Sequence, residues 1–217
     1  CKLQNVFGTA EGLICMTNID DPMELVCNTH GYPICPADEL RFVDAEGNDV
    51  PEGKEGELLV RGPYTIQGYY RNPEVNGTAL TKEGFYRTGD LAVPVAGGYI
   101  RVCGRIKDQI NRCGEKLAPI EIESHIRELD GVSDVVVVGV PDRALGERIC
   151  AWVRAGEAFS MQALHGFLSA KGVSRYKFPD QLEFTEFWPV TSVGKIDKRK
   201  LVSMAQELHQ SVIKAAS

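Results

Sequence analysis

The apolar pattern changes period near the middle of the chain. From Gly31 to Gly104 it comes in short runs, ELRFVD, ELLVRG, GYY and GYIRVCGR, cut by the polar stretch AEGNDVPEGKEG and by further Gly, Asn, Asp and Pro residues. Strand-length runs between turn formers predict a compact antiparallel sheet or a small barrel. Ahead of them, KLQNVFGTAEGL puts an apolar pair before a small-residue turn that carries one acid, Glu11. Further on, helix and strand patterns alternate. Pro119 to Leu129 places Ile122, Ile126 and Leu129 at helical spacing, with Pro119 tolerated in the first turn. Val135 to Val140 reads as a buried β-branched strand, Glu147 to Arg154 as a second and Gln181 to Phe184 as a third. Ser160 is placed to cap a helix through Lys171 that buries Met161, Leu164 and Leu168. A last helix from Lys198 buries Leu201, Ala205, Leu208 and Val212. This order predicts a small α+β domain with a helix-covered sheet.

Between the two patterns lies Gly104 to Lys116, GRIKDQINRCGEK, polar and framed by glycines. It reads either as a solvated inter-domain loop or as a segment that swings or lines a channel. A length of 217 residues allows one large domain or two ordinary ones. The net charge of -6 argues against a broad nucleic-acid surface. No apolar run reaches membrane-spanning length and no leader opens the chain, so a cytoplasmic protein without a membrane partner is expected. Seven cysteines without a C-x-x-C pair fit free thiols in a reducing compartment. The four histidines show no zinc-ligand spacing.

Three positions carry candidate chemistry, each with a plainer alternative. Glu11 on its tight turn is either a solvent-facing acid or an oxygen ligand for magnesium on a nucleotide. Asp90, in YRTGD, either bonds nearby backbone amides or accepts the two hydroxyls of a ribose. Lys195, in PVTSVGKIDK, is either a solvated loop lysine or a cation delivered to a phosphate.

FGTAEG, YRTGD, GRIKDQINRCGEK and PVTSVGKIDK stand in the order and rough spacing found in the adenylate-forming superfamily of acyl-CoA ligases, peptide-synthetase adenylation domains and luciferases. The resemblance covers essentially the whole chain. FGTAEGL, KDQINRCGEK and KFPDQLEF make it most similar to the aryl-acid activating dihydroxybenzoate-AMP and salicylate-AMP ligases of siderophore biosynthesis. The family's upstream phosphate loop and most of its acid pocket have no counterpart here. The resemblance therefore implies an α/β plus β fold that is the C-terminal part of such an enzyme. Residues 1–106 would be the β-rich end of the large domain, with its antiparallel, barrel-like subdomain, and 107–217 the small mobile α+β domain.

By the same resemblance Glu11 is the magnesium-associated acid, and Phe7 and Gly8 cover the adenine. Asp90 binds the ribose and Arg105 reaches the ribose and phosphate side. Lys107 is the hinge, where many relatives have aspartate but the aryl-acid group has this pattern. Lys195 is the catalytic lysine of the first half-reaction. Val6 and Ile14 wall the aryl pocket, with ordinary strand packing as the alternative. Gly114 lines the phosphopantetheine tunnel, beside Cys113 where relatives usually have glycine. The implied cofactors are ATP and Mg2+, with phosphopantetheine on the acceptor. The implied partners are an aryl carboxylic acid, an aryl carrier protein and the upstream N-terminal portion. The alternatives are a ligase using coenzyme A, and a non-catalytic piece that docks a carrier protein or the upstream portion.

Overall fold

The computed structural model describes residues 1–216 as backbone and 1–210 with their side chains. Val212, expected in the core, lies outside the described side chains. The chain divides into two compact units, Cys1–Lys107 and Asp108–Ser217.

The first unit opens on a hairpin of β1 (Val6–Thr9) and β2 (Leu13–Met16), followed by the short helix α1 (Met23–Asn28) and the two-residue β3 (Tyr32–Pro33), which joins β2 in a small sheet. Then come β4 (Glu39–Val43), β5 (Gly56–Arg61), helix α2 (Pro73–Ala79), β6 (Tyr86–Val95) and β7 (Tyr99–Arg105). Strands β4 to β7 form an antiparallel meander in chain order. Of the two forms left open by the sequence, the described strands adopt the open sheet and not a closed barrel. The two sheets share one core, with Leu13 and Cys15 against Leu58, Val60, Tyr86, Ala92 and Ile100. His30 stitches them together: its N–H donates to the Ile100 carbonyl, and its Nδ1 accepts from the Val102 N–H at 3.1 Å.

GYY is not a strand; Gly68 to Tyr70 is irregular backbone leading to α2. The signal for α2 is local: Asn72 Oδ1 accepts from the Val75 N–H and Pro73 occupies the first turn.

The second unit contains β8 (Ile110–Arg112), β9 (Glu115–Leu117), α3 (Pro119–Arg127), β10 (Val132–Asp142), β11 (Gly146–Ala155), α4 (Met161–Ala170), β12 (Gln181–Phe184) and α5 (Lys198–Ala216). The sheet order is β10-β11-β8-β9, with β12 parallel to β11. Val135 and Val137 pack with Ile122, Ile126, Leu164 and Leu168 of α3 and α4, while Val136, Val138 and Val140 pack with Leu201 and Ala205 of α5. Burial on both faces explains why β10 reads as a continuous β-branched run rather than an alternation. Ser160 caps α4 by accepting from the Ala163 N–H. Leu208, expected inside, is 43% exposed although it shares the face of Leu201 and Ala205, because the core packed against α5 ends at Ala205.

Candidate active site

The turn that carries Glu11 is fixed by a loop more than fifty residues away. Gly12 has φ +122°, and a Cβ there would stand 2.4 Å from Thr65 Cα, so only glycine lets the two backbones meet. Ile66 N–H donates to the Glu11 carbonyl at 2.8 Å, and Thr65 Oγ1 donates to the Gly12 carbonyl at 3.2 Å. The Glu11 side chain is partly buried, and its Oε1 accepts from the Tyr69 hydroxyl at 2.9 Å. Among the described residues its Oε2 has no protein partner. Phe7 lies on the core face of the same hairpin, with its ring edge-on to His30 at 6.1 Å. Gly8 faces the opposite side, where a Cβ would come within 2.9 Å of the Leu13 carbonyl oxygen.

Asp90 and Arg105 sit directly opposite each other on β6 and β7. Before Asp90 the strand is irregular: Gly89 has φ +69°, Thr88 Oγ1 donates to the Leu58 carbonyl, and the Asp90 N–H donates back to Thr88 Oγ1. The Asp90 carboxylate is only 4% exposed. It does not accept from nearby backbone amides. Oδ1 accepts from Arg105 Nε at 2.6 Å, and the buried Oδ2 has no partner among the described residues. A buried carboxylate oxygen left unpaired is costly unless something donates to it. A vicinal diol supplies such donors, so the pair fits a ribose.

Tyr86, whose hydroxyl is 3.1 Å from that of Tyr69, feels the charges of Glu11, Arg105 and Asp90, so these groups share one neighbourhood. Burial raises the Tyr86 phenol above its usual value. Sequence reasoning missed both tyrosines, because their role depends on contacts 58 and 17 residues away.

Val6 and Ile14 lie on one face of the hairpin, 57% and 40% exposed, while Leu13 and Cys15 fill the core on the other face. They are thus not packed in the core of this unit. Lys107 is exposed at the end of the first unit.

Gly114, with φ +87°, and Cys113, with φ +53°, form the two-residue turn between β8 and β9. Both central φ values are positive, as the tight hairpin turn of this hand requires. Lys195 projects from a compact loop of the second unit. Thr191 N–H donates to the Lys195 carbonyl, Gly194 N–H to the Thr191 carbonyl and Lys195 N–H to Thr191 Oγ1. Ile196 packs against the core beneath α5, and Asp197 caps that helix by accepting from the Lys200 N–H. The root of the loop is therefore anchored while Lys195 itself is exposed.

Residues 1–70 match the family model of AMP-binding enzymes, and residues 121–195 match that of the AMP-binding enzyme C-terminal domain. The chain belongs to the AMP-binding enzyme family. Over 202 residues, 93% of the chain, it is 48% identical to the 2,3-dihydroxybenzoate-AMP ligase of Bacillus subtilis. Over 201 residues, 92% of the chain, it is 47% identical to the salicyl-AMP ligase / salicyl-S-ArCP synthetase of Mycobacterium tuberculosis. It spans 38% and 36% of the lengths of these two relatives. Among solved structures it resembles ATP-bound MatB from Rhodopseudomonas palustris, with a TM-score of 0.86 at 29% identity over 95% of this chain and 41% of that one. Among the described residues no helix is long and apolar enough to cross a membrane. All seven cysteines are free thiols. Cys15 is raised to about 12 by burial and the nearby Asp38, and Cys150 to about 12 chiefly by burial.

Proposed function

We propose that the protein containing this chain activates an aryl carboxylic acid with ATP, releasing pyrophosphate, and then transfers the acyl group to the phosphopantetheine thiol of an aryl carrier protein in siderophore or related nonribosomal peptide biosynthesis. The observation that carries the nucleotide half of this reading is Asp90, buried with one oxygen on Arg105 and the other unpaired. The substrate half is supported by identities of 45–51% to relatives named for dihydroxybenzoate, salicylate, pyochelin and enterobactin chemistry.

In this proposal Asp90 and Arg105 hold the ribose, and the backbone of Phe7 and Gly8 lies along the adenine while the Phe7 ring stays on the core face. Val6 and Ile14, apolar and outside the core, wall the aryl ring. Glu11 fits a hard oxygen ligand, since one carboxylate oxygen is tethered and the other is unclaimed. A Mg2+ ion held there by Glu11 would supply charge to offset the phosphates as the adenylyl group is transferred. Lys195 presents a cation to the α-phosphate in the first half-reaction and withdraws as the backbone turns at Lys107, leaving Gly114 to line the thiol's path. Residues 1–106 and 107–217 act as the two moving parts. Neither half-reaction needs a serine or cysteine nucleophile.

ATP-pyrophosphate exchange by the full-length protein, with salicylate, 2,3-dihydroxybenzoate and an aliphatic acid in parallel, tests the reading. Exchange stimulated by an aryl acid supports it. Exchange with the aliphatic acid alone, or with none of the three, contradicts it.

A further inference from the structure

Glu11 is one end of a chain of hydroxyls. Its Oε1 accepts a hydrogen bond from the Tyr69 hydroxyl at 2.9 Å, and the Tyr86 hydroxyl lies 3.1 Å from that of Tyr69. A phenol carries one proton, and that of Tyr69 goes to the carboxylate, so Tyr86 donates into Tyr69 and Tyr69 into Glu11. Hydrogen bonds aligned in one direction polarise one another.

Tyr69 is itself aimed. It stands on irregular backbone with no sheet partner, and Asn76 of α2 clamps its peptide from both sides. Asn76 Oδ1 accepts from the Tyr69 N–H at 2.7 Å, and Asn76 Nδ2 donates to the Tyr69 carbonyl at 3.0 Å. Gly68, with φ +153°, leaves room for the clamp, since a Cβ there would lie 3.1 Å from Asn76 Nδ2.

The bond to Glu11 is not what holds the turn. The backbone there is already secured by Gly12 N–H on the Thr9 carbonyl, Ile66 N–H on the Glu11 carbonyl and Thr65 Oγ1 on the Gly12 carbonyl. The Tyr69 hydroxyl adds only the orientation of the carboxylate.

The geometry points to Tyr69 as a positioning residue for Glu11: held by Asn76 and accepting a hydrogen bond from Tyr86, it donates to one carboxylate oxygen and leaves the other free for the metal-nucleotide. This rests on the role proposed for Glu11. Outer partners of metal-binding carboxylates are worth about 10- to 100-fold in metal affinity or activity.

The test is calorimetric binding of ATP to the full-length protein, with Mg2+ and with chelator, for Tyr69→Phe, Tyr86→Phe, Glu11→Ala and the Tyr69→Phe/Glu11→Ala double variant. Tyr69→Phe is expected to weaken MgATP binding by about 10-fold or more and to leave metal-free ATP binding unchanged. Tyr86→Phe should shift MgATP binding in the same direction by less, and Tyr69→Phe should add nothing once Glu11 is alanine. The positioning role alone is overturned if Glu11→Ala weakens MgATP binding and Tyr69→Phe does not. It is overturned likewise if Tyr69→Phe weakens binding by the same factor with and without Mg2+, or in both Glu11 backgrounds. Unchanged MgATP binding in Glu11→Ala instead removes the role of Glu11, and the inference with it.

Discussion

Lys198 Nζ donates to Asp108 Oδ2 at 3.1 Å, tying the first residue of the last helix to the residue that follows Lys107. The loop bearing Lys195 ends where that helix begins. Asp108 and the root of the lysine loop thus belong to the same compact unit. The pair is half-exposed, with side chains 39% and 28% accessible, so its energetic worth is small. Lys198→Met should cost no more than about 1 kcal/mol, and a double-mutant cycle with Asp108→Asn should show coupling below that. Denaturant unfolding followed through Trp152 and Trp188, both in the second unit, reads it. A coupling of several kcal/mol would mean that the pair is much better shielded than its exposure implies.

Cys113 holds φ +53° in a turn that favours glycine at both centres. A left-handed conformation costs an L-residue about 1–2 kcal/mol, against about 0.5–1 kcal/mol for the extra freedom glycine loses on folding. Cys113→Gly should accordingly stabilise the second unit by about 0.5–1 kcal/mol, visible as a higher denaturant midpoint in the same fluorescence experiment. A lower midpoint would show that the thiol makes a contact worth more than the strain.

Elements specified by neighbours in sequence were legible: Ser160 capping α4, Pro119 opening α3, and the start of α5 at Lys198. Those settled by distant partners were not. GYY looks like a strand because tyrosine favours one, yet Asn76 has taken the backbone groups of Tyr69 that a ladder would use. Tyr69 and Tyr86 acquire a role only when folding sets them beside Glu11, and no spacing rule announces that. The strand order of the second unit, in which β11 meets both β8 and β12, is equally invisible along the chain. Leu208 continued the apolar period of α5 past the point where the sheet still covers it.

His30 makes the first unit sensitive to acid. Burial lowers its pKa from 6.5, and its Nδ1 accepts the Val102 N–H. Between the lowered value and 6.5 the unfolded chain binds the proton and the folded chain does not, so stability rises with pH across that interval. The contribution is complete above about 6.5 and is lost as pH falls. Hydrogen exchange at the Val102 amide, corrected for intrinsic rate, should accelerate on acidification below that value. His30→Asn, which keeps an acceptor and cannot titrate, should flatten the profile. An unchanged profile in the variant would assign the acid response to another group.

Lys107→Pro fixes φ and removes an N–H at the proposed hinge. In the full-length protein it should depress thioester formation by up to about 100-fold, the scale on which misplacement of a remote element costs activity, while adenylate formation stays near wild type. Parallel assays of the two half-reactions check this. Normal thioester formation would remove Lys107 as the hinge.

Lys195 is proposed to act in adenylate formation and to be dispensable afterwards. The most direct measurement is the Lys195→Ala variant of the full-length protein, assayed for ATP-pyrophosphate exchange and, separately, for thioester formation from preformed acyl adenylate. Exchange should fall by about 100-fold or more, the scale of removing one stabiliser of developing charge, with thioester formation largely retained. Equal loss in both assays, or exchange at the wild-type rate, would contradict it.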